Sequence, residues 1–116
     1  MIMPEHKYYT MAQWRVKPGR EDEFRRAWKD IGQALSNIRH TPIQGRLLQS
    51  TDNPREFHSF ATWKSDEDLR AARNEPSVEK AIQRTRDFCE ESHLDAFLMT
   101  ETFYEEELAE VSAEET

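Results

Sequence analysis

The side chains able to do chemistry are few and scattered. Four histidines are present, His6, His40, His58 and His93. A metal-binding pair of histidines normally sits roughly three to five residues apart, and none of these lies that close to another. His58 falls in the middle of a strand and is the one best placed to face an enclosed space. A hydrogen-bonded structural role and a ligand or acid–base role both stay open for it. His6, His40 and His93 lie at segment edges and are expected to face solvent. Cys89 is alone, so it forms no internal disulfide. It falls on an apolar helical stripe near the helix C-terminus, where a small buried hydrophobe is expected rather than a nucleophile. Trp14, Trp28 and Trp63 form the most informative set. They are either core packing or the walls of a pocket for a flat apolar ligand. Arg15, Gln13 and Glu101 are polar on an otherwise apolar strand face, where hydrogen bonds or ion pairs at an interface are expected. No phosphate-cradling glycine loop, nucleophile-elbow motif or paired zinc motif is present.

The elements that must hold these residues follow from periodicity. Tyr8–Val16 alternates as a strand, with Tyr8, Thr10, Ala12, Trp14 and Val16 on one face and Tyr9, Met11, Gln13 and Arg15 on the other. Lys17-Pro18-Gly19-Arg20 is a turn. Phe24, Trp28, Ile31 and Leu35 recur at helical spacing, which predicts a helix over 21–36. Its first turn is acidic, and Glu21–Arg25 and Asp22–Arg26 have favourable i,i+4 order. A short strand is expected over Gly45–Thr51, then the turn Asp52-Asn53-Pro54-Arg55, then a strand over Glu56–Trp63. Together these make a hairpin. Ser65 caps a helix running to about Arg73, with Asp68 completing an approximate capping box. Pro76 breaks that helix near Asn74–Pro76, and Ser77 is expected to cap a second piece carrying Val78, Ile82, Thr85 and Cys89. The final strand is expected over Leu94–Tyr104.

The order β-α-β-β-α-β predicts an α+β, ferredoxin-like fold: a four-stranded antiparallel sheet with two helices on one face. At 116 residues the chain holds one domain, expected over residues 1–104 and followed by an acidic tail at 105–116. The tail carries six of the 23 acidic side chains and none of the 16 basic ones, so the net charge of −7 is largely its doing. The body mixes both signs, as solvated helix faces do, and has no basic stripe for nucleic acid. No apolar run approaches the ~20 residues that span a bilayer, and the first fifteen residues lack a secretory pattern. With a lone cysteine, this predicts a cytoplasmic protein.

Two helices cover only one face of the sheet. The first and last strands nevertheless carry bulk on both faces: Trp14 and Val16 against Tyr9 and Met11, Leu94 and Leu98 against Phe97, Met99 and Phe103. An exposed patch of that size is uncommon on a monomer, so a homodimer through the sheet face is expected.

With these elements in place, the chain resembles the antibiotic biosynthesis monooxygenase family of dimeric α+β barrels. The resemblance rests on Trp14-Arg15-Val16-Lys17-Pro18-Gly19-Arg20 before an acidic helix with Phe24. It continues through Phe60-Ala61-Thr62-Trp63-Lys64-Ser65 before a helix with Leu69 and a second segment opening at Pro76-Ser77. It implies two sheets packed face to face and a cavity between each sheet and its helices. Members include cofactor-free oxygenases of polyketide phenols and quinols, and haem-degrading monooxygenases. The haem-degrading members use an Asn on the first strand and a Trp and a His on the second helical region. Here Tyr8–Val16 has no Asn, no Trp follows Trp63, and no His lies between His58 and His93. The resemblance therefore implies a protein without a cofactor or metal. Its function would be cofactor-independent oxygenation of an aromatic, quinol or polyketide-type molecule, with non-enzymatic binding or a structural dimer as the alternative. Trp14, Trp28, Phe60 and Trp63 would shape the pocket, and His58 or Asn74 would orient a phenol.

Overall fold

Alternation in the first strand sets the layout. β1 (Tyr8–Val16) buries Ala12, Trp14 and Val16 and exposes Gln13 and Arg15. The chain then turns at Gly19, whose φ of 78° suits a residue without a Cβ. It enters α1 (Glu21–Ser36), which lays Phe24 and Ala27 onto the buried face of β1. In a computed structural model describing residues 7–39, 41–42 and 44–104, five further elements follow. They are β2 (Gln44–Gln49), β3 (Glu56–Trp63), α2 (Asp66–Arg73), α3 (Pro76–Asp87) and β4 (Cys89–Leu98). The expected tail at 105–116, His6 and His40 lie outside the described residues.

The four strands form one antiparallel sheet in the order β2-β3-β1-β4. This is the ferredoxin-like α+β arrangement, with three helices because Pro76 divides the second helical region. Directly paired residues share a face. Ala12 therefore lies with Ser59 and Leu94 on the inner face, under the helices. Met11 lies with Phe60 and Asp95 on the outer face. Among the described residues, no helix is long and apolar enough to cross a membrane.

Several local expectations are corrected. β4 begins at Cys89, five residues before the expected start, and ends at Leu98. The polar run Glu90–His93 reads as helix or loop by composition, but β1 recruits it. Lys17 N–H donates to Phe88 O at 2.9 Å, a register shift follows at Arg15/Val16, and Glu91 and Glu90 reach Arg15 (3.3 Å) and Arg55 (2.7 Å). Cys89 is thus the first residue of a strand rather than a helical residue. β2 ends at Gln49, because Ser50 turns away. Its N–H donates to Glu56 O (2.9 Å), and its hydroxyl accepts from the N–H groups of Asp52 and Asn53. Ser65 caps α2 as expected, accepting from Asp68 N–H at 3.1 Å. Ser77 does not cap α3: Pro76, with no N–H to satisfy, occupies the first helical turn, and Glu75 is the N-cap. In α1 the ion pairs run i,i+3, Asp22–Arg25 and Glu23–Arg20, rather than i,i+4. Arg25 is drawn toward the sheet, where it also donates to Gln49 Oε1 (3.0 Å) and lies 5.3 Å over the Phe57 ring.

The core forms two clusters rather than one. The larger joins Ala12, Trp14, Val16, Phe24 and Phe57, with Phe24 tilted between Trp14 (5.5 Å between centroids) and Phe57 (4.8 Å). Such ring pairs contribute about 0.5–1.5 kcal/mol each beyond area burial. The smaller joins Trp63, Leu69 and Ala72, with Tyr8, Leu35 and Ala61 packed against it.

Candidate functional site: a tryptophan-walled cleft

Between the two clusters lies a cleft of about 600 Å³, open to solvent at one side. Both clusters supply its walls: Trp14, Trp28, Ile31 and Leu94 from one, Trp63, Leu35 and Ala72 from the other. Because the cleft opens to solvent, it is not a sealed void in the core. The space is therefore one for water or a ligand, which its open side admits.

All three tryptophans of the chain line the cleft, and two are locked by hydrogen bonds across the sheet. Trp14 Nε1–H donates to Ser59 Oγ at 3.0 Å, wholly buried. Trp63 Nε1–H donates to Thr10 Oγ1 at 3.1 Å. These bonds satisfy both indoles, so they present their apolar faces. They also leave each hydroxyl with its own O–H to give, because a serine or threonine that accepts one bond still carries a donor. Ser59 and Thr10 both line the cleft. The site is thus an apolar slot with two hydroxyl donors at its sheet side, suited to a planar ring system carrying an oxygen acceptor. Gly32 of α1 also lines it, and a Cβ built there would meet nothing within 4 Å. A helix-interior glycine costs roughly 1 kcal/mol against alanine, and here it leaves room in the slot.

Trp14, Trp28 and Trp63 project into this space together. Phe60 lines it too, as does Met11, its partner in the sheet, although both positions alternate out of register with Trp14 and Trp63. His58 belongs to the outer face, paired with Gln13 and Leu48, away from the cleft. Asn74 is the exposed C-cap of α2, its N–H bonded to Arg70 O and Ala71 O at 3.2 Å, and it does not line the cleft. Neither expected acid–base residue lines the cleft. Ser59 and Thr10 carry the polar chemistry instead. The signal for them was the alternation itself: both share a strand face with tryptophan, where a hydroxyl is out of place in a plain core.

Around His58 the outer face has a second, shallower depression of about 280 Å³, with Gln13, Arg15, Glu56, Glu91 and His93. Arg15 bridges Glu91 (3.3 Å) and Glu56 (4.0 Å), and His93 Nε2 lies 3.3 Å from Glu91. These exposed pairs are worth under about 1 kcal/mol each. Among the described residues, no cluster of three or more His, Cys, Asp or Glu is arranged to hold a metal ion. Burial pushes the Cys89 thiol from 9.0 up to about 11, the Lys17 ammonium pulling the other way. Its Sγ donates to Thr85 O at 3.6 Å, so it is a protonated packing group and no nucleophile.

The profile of the antibiotic biosynthesis monooxygenases matches residues 7–84, two thirds of the chain. The chain belongs to the antibiotic biosynthesis monooxygenase family. Solved structures agree on the fold. A variant of SnoaB, a cofactor-independent oxygenase from Streptomyces nogalater, superposes with a TM-score of 0.77 at 17% identity, covering 87% of this chain and 100% of that one. A conserved protein from Methanosarcina mazei gives 0.71 at 16% identity, covering 80% and 92%. A candidate antibiotic biosynthesis monooxygenase from Nitrosomonas europaea gives 0.68 at 18%, covering 89% and 97%. Comparison with curated proteins gives no match. At these identities the solved structures share the fold, and the family rests on the match over residues 7–84.

Proposed function

We infer that this member of the antibiotic biosynthesis monooxygenase family binds a flat, electron-rich aromatic or quinol-type molecule in the tryptophan-walled cleft and oxygenates it without a cofactor. The observation that carries this reading is the pairing of apolar indole walls with two inward hydroxyl donors, Ser59 and Thr10. The described lining has no histidine, carboxylate, thiol or phenol, so among the described residues no such group stands ready to deprotonate the ring. The substrate must supply the reactivity. An ionised phenol or quinol reduces oxygen itself, and a reacting methylene flanked by such rings follows CH2 + O2 → C=O + H2O, with both electron pairs coming from substrate bonds. Hydroxyl donors stabilise the oxyanion as it forms, and the apolar walls keep water from competing. The description of SnoaB as a cofactor-independent oxygenase supports the same class of reaction.

Oxygen consumption across a panel of hydroquinones and anthrones tests this. Turnover that falls on Trp63→Ala substitution is the expected result, and no uptake with any panel member overturns the reading. The same absence among the described lining residues favours a second reading, binding without turnover. That reading predicts quenching of tryptophan fluorescence by panel members with no oxygen uptake.

The functional unit in this reading is a cytoplasmic homodimer. The outer face presents Tyr9, Met11 and Phe60 half-buried, with Leu48 and Phe97 each 50% exposed, and pairing two such faces buries them. A dimeric mass by light scattering at micromolar concentration is expected; a monomeric one removes this part.

A further inference from the structure

We propose that the ligand of this cleft is an aromatic anion, its rings between the tryptophans and a carboxylate-type group held at the mouth by Lys29 and Arg73. The proposal rests on the reading of the cleft as an aromatic-binding site and specifies the charge of what enters it. The chain carries 23 acidic and 16 basic side chains, yet among the described residues the charged ones lining the cleft are Lys29 of α1 and Arg73 of α2. An acidic protein that keeps every described carboxylate off one opening, while placing a cation on two helices beside it, selects against cationic ligands and attracts anionic ones.

Neither cation is committed elsewhere. Arg70, one turn before Arg73 on the same helix, is bonded to Asp66 at 2.9 Å. Arg25, one turn before Lys29, is bonded to Asp22 at 2.8 Å. Lys29 and Arg73 have no ion pair among the described residues, and both are exposed. An arginine fork and a flexible ammonium are complementary donors for one carboxylate. The two ends of the site then divide the work. Ser59 and Thr10 meet a neutral or developing oxygen beside the sheet, and the two cations hold a full charge where water still screens it.

The three tryptophans make occupancy directly readable. Titration with 9-anthracenecarboxylate and with its neutral counterpart 9-anthracenemethanol, followed by tryptophan quenching, tests the charge preference. At low salt the carboxylate should bind about tenfold more tightly than the alcohol, an advantage that shrinks as salt is raised. In the double variant Lys29→Gln, Arg73→Gln the two should bind alike, with the alcohol's affinity unchanged. Both substituted residues are exposed, and the salt titration of the unaltered protein gives the answer independently of the variant. Equal affinities in the unaltered protein, or a preference that survives the double substitution, overturns the proposal and leaves the aromatic cleft standing. Failure of both compounds to quench overturns the cleft reading and the proposal with it.

Discussion

Under the helices, the inner face of the sheet carries Trp14, Trp63, Ser59 and Thr10; on the far side, the same strands carry Met11, Phe60, His58 and Arg15. The two faces are built from alternate residues of one run of chain, yet they do different things. Inside, each polar group is matched to an indole and the rings are fixed in place. Outside, aromatic side chains stand half-exposed beside loose ion pairs that solvent screens. The inner face is organised to hold a molecule in one pose. The outer face is organised to be covered by a large partner surface, where packing matters more than any single contact.

The sharpest way to break this contrast is to remove one ring from each side. Phe24 is fully buried between Trp14 and Phe57, and Phe24→Ala should cost about 3–5 kcal/mol in urea unfolding at any protein concentration. Phe97→Ala should cost less than about 0.5 kcal/mol in dilute protein and more as concentration rises, because only association covers that ring. A large, concentration-independent loss at Phe97 would mean the outer face is organised like the inner one. Next in size, Ser59→Ala strands the buried Trp14 N–H and should cost about 1–3 kcal/mol, with Ser59→Thr retaining most of the stability.

The third prediction concerns pH. The Cys89 thiol is raised in the folded state from 9.0 to about 11. Its contribution is therefore present in full below pH 9 and is lost as pH climbs through 11, because the unfolded chain gives up the proton first. With the thiol only partly buried, screening reduces the loss to about 1 kcal/mol. Denaturation curves of Cys89→Ala should lack that part of the alkaline decline; identical declines would show that the thiol does not report the inner layer. The last prediction concerns Gly32, where the change in stability is a gain. Gly32→Leu should raise helix stability by up to about 1 kcal/mol while filling the slot. Quenching by 9-anthracenecarboxylate should then fall more than tenfold, whereas unchanged binding would place the ligand elsewhere.

Much of the scaffold was legible in residue order. Tyr8–Val16, the helix over 21–36 and Glu56–Trp63 follow from strict periodicity, and the break before α3 follows from Pro76. The family pattern through Trp14–Arg20 and Phe60–Ser65 pointed to the family that the match over 7–84 shows. The last strand was misplaced because its first half is polar. Cross-strand ion pairs to Arg15 and Arg55 make that half a strand, and no local window contains those partners. His58 and Asn74 drew notice by residue type, but chemistry in a cleft depends on which side of the sheet, or which end of a helix, a side chain occupies.

The sequence by itself determined the first and third strands, the first helix and the break before α3, because the spacing of apolar residues and the punctuation of proline and glycine act over a few residues. It also determined that Thr10 and Ser59 share faces with tryptophans. Only the tertiary structure decided that the core divides into two clusters with a slot between them, and that Gly32, Lys29 and Arg73 all border that slot. Those are matters of distance between elements far apart in the chain. They are set by how the helices rest on one face of the sheet, which no single segment encodes.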